Sequence, residues 1–311
     1  IAFYHQSTLD LLQGLSCSVG LRYDYEHARC DFSKVQQPLN GNGETKSLEQ
    51  FNRSLHFGQF TPRFSMQYLS SHNQLFYASV SKGYKAGGFN VSFLNNDDYL
   101  YSPEYNWNYE IGTKLSFLNN RLSADLSLFY IDWRNQQITN TIPTVGNVIR
   151  NAGRSRNKGI EASFQARPTK SWMMYMNYGY TDARFVHYQK EERGILKDYE
   201  GNYLPMVPRH TFSLTTGYSF YDICSWIDRL TLNAGVSVTG PIYWYEDNQA
   251  KQSPYALVNL RISINKGCFT WEAWSKNLTN TDYLSYYFVT SKAYAQKGKP
   301  ITLGTSVSIS L

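Results

Sequence analysis

Along much of this chain every second residue is apolar, in stretches of about ten residues that recur from one end to the other. The clearest copy sets Trp107, Tyr109, Ile111, Thr113, Leu115 and Phe117 on one parity and Asn106, Asn108, Glu110, Gly112, Lys114 and Ser116 on the other. Successive side chains of a β-strand point to opposite faces, so such a segment has one greasy and one wet face. The pattern predicts thirteen strands, over about 1–11, 15–32, 55–69, 73–88, 105–117, 121–138, 148–166, 171–187, 207–220, 227–242, 254–266, 268–283 and 298–311. The apolar parity continues through Val19, Leu21, Tyr23 and Tyr25; Phe60, Phe64, Met66 and Tyr68; Leu126, Leu128 and Tyr130; Ile160 and Phe164; Leu232; and Ile262. The polar parity carries Arg22, Asp24 and Glu26, then Asp125 and Ser127, Glu161 and Arg167, and Asn259 and Arg261.

Two-faced strands also build soluble sandwiches and lipocalin-like barrels, so the connections decide between them. Those near 12–15, 70–73, 118–120, 168–170, 220–226 and 266–267 are short, whereas those near 33–54, 87–104, 139–150, 186–206, 243–253 and 284–297 are long and polar. Tight turns at one end and long loops at the other are the pattern of an outer-membrane β-barrel, with short periplasmic turns and long extracellular loops. The expected fold is therefore all-β: a transmembrane antiparallel β-barrel whose inward charges, among them Glu110, Lys114, Glu161 and Arg261, need a wet or plugged lumen. Bacterial single-chain barrels close with an even number of strands. Thirteen strands, the first already under way at Ile1, lead to the expectation that the chain is the C-terminal part of a longer barrel.

Composition narrows the classes further. No apolar run approaches the eighteen residues that a membrane helix needs, and the mean hydropathy is −0.47. Aromatic residues make up 16% of the chain, many of them near predicted strand ends, where Tyr and Trp suit the headgroup level. The competing explanation is that β-proteins are rich in aromatics anyway. The four cysteines show no CxxC or Cys/His metal spacing. Cys17 and Cys30 are too far apart on one strand to bridge; Cys224 and Cys268 lie in neighbouring turns where a bond is conceivable, with free thiols the default. The six histidines are scattered and form no nucleophile, base and carboxylate spacing, so no catalytic residue, no metal ligand and no cofactor is expected. A net charge of +6 mildly favours an acidic ligand, although lipopolysaccharide phosphates would serve equally. No nucleic-acid partner is expected.

Six segments, in order, resemble the C-terminal barrel of TonB-dependent outer-membrane receptors, especially the ferric-siderophore branch. They are Ser81 to Asn90 (SKGYKAGGFN), Pro103 to Lys114 (PEYNWNYEIGTK), Leu128 to Ile138 (LFYIDWRNQQI), Asn151 to Phe164 (NAGRSRNKGIEASF), Lys276 to Tyr283 (KNLTNTDY) and the alternating final strand Ile301 to Leu311. The resemblance implies a 22-stranded barrel with a plugged lumen. Residues 1–311 would then be the C-terminal portion of that barrel domain, with the plug domain and the N-terminal strands outside it. It also implies partners: outer-membrane lipid and lipopolysaccharide, the receptor's own plug, the TonB energy-coupling complex, and a metal chelate or other small-molecule ligand. The family's usual aromatic last residue is replaced by Leu311.

Candidate ligand contacts are Lys85, Tyr99, Tyr101, Trp133, Arg154, Arg156, Tyr243, Trp244, Tyr245, Tyr286 and Tyr287, rings and cations placed to stack on and neutralise an anionic aromatic iron chelate. The bland alternative makes half of them interface anchors. Candidate lumen-facing or plug-facing residues are Arg22, Asp24, Glu110, Lys114, Glu161, Arg167 and Arg261, the alternative being that such charges satisfy one another across neighbouring strands. The expected function is active uptake of a ferric siderophore. A passive porin and uptake of cobalamin, haem or oligosaccharide stay open, although the FRAP-type motif of haem receptors is missing near Gly83 to Asn90.

Overall fold

A computed structural model describes every residue except 38–43, 143–144, 152, 193–194, 290–291 and 311. Thirteen strands form one antiparallel sheet in which each strand pairs with its neighbours in sequence. They are β1 (Ala2–Leu12), β2 (Leu15–Gln36), β3 (Lys46–Leu69), β4 (Leu75–Lys85), β5 (Glu104–Phe117), β6 (Leu122–Arg134), β7 (Arg154–Ala166), β8 (Trp172–His187), β9 (His210–Cys224), β10 (Ile227–Thr239), β11 (Tyr255–Lys266), β12 (Phe269–Lys276) and β13 (Thr302–Ile309). No helix among the described residues is long and apolar enough to cross a membrane, which says nothing of strands.

Register carries the apolar parity from strand to strand without a slip. Val19 faces Phe64, Phe64 faces Val80, Val80 faces Tyr109 and Tyr109 faces Tyr130. Further along, Leu126 faces Ala162, Ala162 faces Tyr178, Tyr178 faces Phe212 and Phe212 faces Val238, and Leu232 faces Ile262. A one-residue slip anywhere would turn a whole strand inside out. Yet this continuous greasy surface is covered by none of the described residues: Leu126 is 45% exposed, Phe64 42% and Ile262 42%. An apolar face spanning thirteen strands far exceeds the patch a soluble monomer leaves in water, so hydrocarbon must supply the missing contact.

The short connections reverse the chain by positive-φ residues. Gly14 turns β1 into β2 with φ +79, and a Cβ there would lie 2.2 Å from the Leu69 carbonyl oxygen, so only glycine fits. Asn73 serves between β3 and β4, Leu118 to Asn120 between β5 and β6, and Gly267 between β11 and β12. All four cysteines are free, Cys224 and Cys268 included.

Strand ends differ from the sequence expectation where the two-solvent contrast fades. β2 and β3 hold 22 and 24 residues, roughly 70–80 Å at about 3.3 Å per residue, against an apolar band of about 25 Å. The hairpin therefore stands well clear of the membrane, over residues expected to be loop. Conversely, β6 stops at Arg134, β7 begins only at Arg154 and β12 ends at Lys276. The intervening residues form small ribbons of their own, such as Gln137–Ile142 with Gly146–Asn151 and Leu284–Val289 with Ala293–Lys297. Leu311 lies outside the described residues.

Candidate functional site

The buried apolar residues of this protein lie in its long loops. Among the described residues, apart from Ala166, the buried hydrophobic side chains are Tyr99, Val148, Ala183, Phe185, Tyr188, Tyr199, Leu204 and Trp244, all in the long loops or at the adjoining strand ends. The loops thus have a core that the membrane wall lacks, and it joins them into a deck at the long-loop end of the strands.

One half of the deck leans on the projecting β2–β3 hairpin. Phe32 and Phe51 stack across it at 4.9 Å, and Phe93 and Tyr99 from the β4–β5 loop close over them, Tyr99 stacking on Phe51 at 4.5 Å. The Tyr99 hydroxyl donates to Glu49. A second lock joins this loop to the β6–β7 loop. Asn90, 4% exposed, donates to the carbonyls of Asp98 and Ile149 and accepts from the Ile149 amide, each at 2.8 Å. Arg150 grips both Asp98 oxygens at 2.7 and 2.8 Å. That guanidinium, followed by the amide of Leu94, holds the Asp98 carboxyl below its ordinary range despite burial, which pushes the other way. A depressed carboxyl pKa contributes stability that is whole above the unfolded value, about 3.9, and is lost as pH falls through the lower folded value. Protection against hydrogen exchange at 86–103 and 146–151, taken relative to the intrinsic rate at each pH, should therefore stay constant from neutral pH down and fall only below about pH 4. An Asp98→Asn variant should lose that acid step; an unchanged pH profile in the variant would place the acid sensitivity elsewhere.

The other half gathers the β8–β9, β10–β11 and β12–β13 loops. Tyr203 lies under two guanidinium groups, Arg184 at 4.0 Å and Arg209 at 5.0 Å, and stacks on Tyr243 at 5.5 Å. Asn248 accepts from the Tyr203 amide at 2.7 Å and donates back to the Tyr203 carbonyl at 2.9 Å. Trp244 is buried against Tyr286 and Tyr287, and the Tyr245 hydroxyl accepts from the Val289 amide at 2.6 Å. Ile138 reaches from the first half to pack on the Phe185, Tyr188 and Tyr199 cluster.

The sequence-predicted ligand residues are thus dispersed. Tyr243, Trp244, Tyr245, Tyr286 and Tyr287 come together in this second half, with Tyr286 exposed on its surface. Tyr99 is sealed in the aromatic cluster, Tyr101 lies in a two-residue ribbon against Gly88, and Lys85 is the exposed last residue of β4. Trp133 is on the inner parity between Asn106 and Ser155. Arg154 and Arg156, expected to contact ligand, are strand residues of β7, as the strand expected over 148–166 has them, and share the outward parity of Ile160. Arg154 binds Asp132 at 2.6 Å.

On the inner wall, Arg22 pairs with Asp24 at 2.6 Å and Arg261 lies 3.6 Å from Glu272. Glu110 accepts from the Tyr77 hydroxyl at 2.6 Å rather than meeting Lys114. Lys114 and Glu161 form no ion pair with a described residue. Arg167 stands one residue beyond β7, where it lines a recess of about 570 Å³ at the periplasmic mouth with Arg121 and Lys170. Sequence reasoning missed Asn90, Asp98 with Arg150, and Tyr203 between its two arginines. Among the described residues no three His, Cys, Asp or Glu side chains converge to hold a metal.

Comparison with known proteins gives a consistent result. The sequence matches the family described as TonB dependent receptor-like, beta-barrel, over residues 1–280. A probable TonB-dependent siderophore receptor, PiuA of Acinetobacter baumannii, is 26% identical over 72% of this chain and 30% of its own length. The pesticin receptor of Yersinia pestis is 24% identical over 99% of this chain and 43% of its own. The crystal structure of the ferric yersiniabactin uptake receptor FyuA from Yersinia pestis superimposes with a TM-score of 0.82 at 21% identity, covering 99% of this chain and 45% of that one. The chain spans less than half the length of these relatives.

Proposed function

Since this chain belongs to the TonB-dependent receptor family through its β-barrel, we propose that it forms thirteen wall strands of a transporter that takes up a ferric siderophore across the bacterial outer membrane. The observation that carries the proposal is the family match along the wall, joined to relatives named as siderophore receptors. The geometry agrees with it. Loop rings and cations, with Tyr245, Tyr286 and Tyr287 grouped and Tyr286 exposed, offer a flat, polarisable surface for an anionic chelate. Iron arrives wrapped in its chelator, so the protein supplies ring and charge contacts and performs no covalent chemistry.

On this proposal residues 1–311 are barrel throughout, and a plug fills the lumen they line. Lys114 and Glu161, left without ion pairs on the wall, are the residues placed to bond it. The energy-coupling complex pulls on the plug and opens the polar path past Ser127 and Thr215. The test is growth under iron limitation of a deletion strain and its parent, each given one ferric chelate at a time. Loss of growth on one siderophore, restored by the gene in trans, is expected; equal growth on every chelate would remove iron from the proposal.

A further inference from the structure

The outward face of the β2–β3 hairpin carries a pair of histidines that neither ligand capture nor the plug uses. His27 and His56 are direct partners in the ladder. They continue the parity on which Val19 faces Phe64, Tyr23 faces Phe60 and Tyr25 faces Gly58, so both side chains stand on the outer side of the wall. Tyrosines mark the boundary between hydrocarbon and headgroups. His27 lies two residues beyond Tyr25, about 7 Å further along the strand, towards the part of the hairpin that runs clear of the membrane. Both histidines are exposed.

The two imidazoles stack face to face, with 4.3 Å between centroids and an interplanar angle of 8°. On the membrane side of the pair, the Tyr25 hydroxyl lies 3.1 Å from Nδ1 of His56. Gly58 leaves room for the tyrosines: the Tyr23 ring lies over it, and a Cβ there would meet the Tyr23 hydroxyl oxygen at 2.5 Å. On the other side of the pair, Arg29, the next cation along that face, is paired with Asp31 at 3.3 Å, so a carboxylate already matches its charge. Both nitrogens of His27 and Nε2 of His56 have no hydrogen-bond partner among the described residues.

Ring stacking accounts for the contact between the imidazoles but not for the hydroxyl set on the second ring. A metal-ligating histidine donates its other ring N–H to an oxygen, which fixes the tautomer and leaves the remaining lone pair for the ion. Tyr25 is placed to be that oxygen for His56. Two nitrogens that share an ion at about 2.0–2.1 Å each lie no more than about 4 Å apart. Rings stacked at 4.3 Å reach that separation by side-chain rotation, with the backbone held by the ladder.

We propose that His27 and His56 chelate one divalent transition-metal ion of the kind imidazole prefers, copper, nickel or zinc, with Tyr25 as a positioning residue and water completing the coordination. The ion ties β2 to β3 below the ring cluster in which Phe93 packs on Phe32 and Tyr99 on Phe51, and so stiffens the support of that half of the loop deck. The proposal rests on strand register and ring geometry, not on which chelate is transported.

The test uses the full-length receptor without an affinity tag, purified in mild detergent, stripped with EDTA, free of siderophore, and titrated with Cu2+, Zn2+ or Mg2+. Wild type should bind one more Cu2+ than the His27→Asn, His56→Asn double variant, and electron paramagnetic resonance should show two nitrogens on that additional ion. Unchanged heat-modifiable migration of the double variant shows that it folds. Each single variant should weaken the additional ion more than about a hundredfold, and Tyr25→Phe about tenfold, the loss expected of an outer-shell partner. His210 makes the same kind of bond, 3.0 Å from the Tyr178 hydroxyl, but faces Tyr180 across the ladder, so His210→Asn should titrate as wild type does. Zn2+ should slow hydrogen exchange at 27–33 and 50–56 in the wild type and not in the double variant. Equal copper stoichiometry in wild type and double variant would overturn the site, as would Mg2+ binding there as tightly as Zn2+. Unchanged affinity in Tyr25→Phe would overturn the role given to Tyr25.

Discussion

Replacing Leu126 with Arg should destabilise the whole receptor in lipid vesicles by about 2–4 kcal/mol, whereas the same substitution one residue later, at Ser127, should stay within about 0.5 kcal/mol. Leu126 lies midway between Leu122 at the periplasmic end of β6 and Tyr130 in the extracellular aromatic belt, and it faces outward between Thr113 and Ala162. A guanidinium there must be buried in hydrocarbon or must drag water and headgroups towards it. Ser127 points to the lumen between Gly112 and Glu161, so the new charge gains a carboxylate neighbour and keeps its water. Urea titration of the vesicle-inserted protein, read by tryptophan fluorescence, measures both. Equal costs at the two positions would mean that the faces are not wetted by different solvents, and the barrel assignment would fall with that result.

A second large effect is expected where no lipid is involved. Asn90→Ala should open the first half of the loop deck by about 2–4 kcal/mol, because it strands three backbone groups that the side chain now satisfies: the carbonyls of Asp98 and Ile149 and the amide of Ile149. Hydrogen exchange of the 96–101 and 146–151 amides should quicken by about a hundredfold, the strands β5 to β8 keeping their protection. The locality is the informative part. If exchange rose equally in the wall, loop and barrel would form one cooperative unit, contrary to the separate cores seen here. If nothing changed, the Arg150 grip on Asp98 would be sufficient by itself to hold the two loops together.

How much of this was legible beforehand depended on whether a segment lies between two different solvents. All thirteen wall strands can be read from residue types, since hydrocarbon on one side and water or plug on the other write an alternation into every one of them. The outer half of the β2–β3 hairpin looks like loop in the sequence because both of its faces are wet and Lys46 to Asn52 show no parity; the isolated Phe32 and Phe51 are the available signal. Arg154 and Arg156 fall inside the strand expected over 148–166, and the run Arg154, Arg156, Lys158, Ile160 continues the outward parity of β7, so their candidacy as ligand contacts conflicts with a pattern that marks a strand leaving the membrane.

The contacts that organise the loops were not legible in this way. Asn90 meets Ile149 across 59 residues, Arg150 meets Asp98 across 52, and Asn248 meets Tyr203 across 45, with no periodic pattern to announce any of them. Taken by itself, the sequence determined the wall: strand number, direction, register parity and which face meets lipid, because each follows from a local alternation imposed by the surroundings. Only the tertiary structure decided which loop residues are sealed in a core, as Tyr99 and Trp244 are, and which cationic side chains have no partner among the described residues, as that of Arg156 has none. Those outcomes depend on pairwise geometry between distant segments, where hydrogen bonds and ring contacts are short-ranged and leave no trace in neighbouring residues.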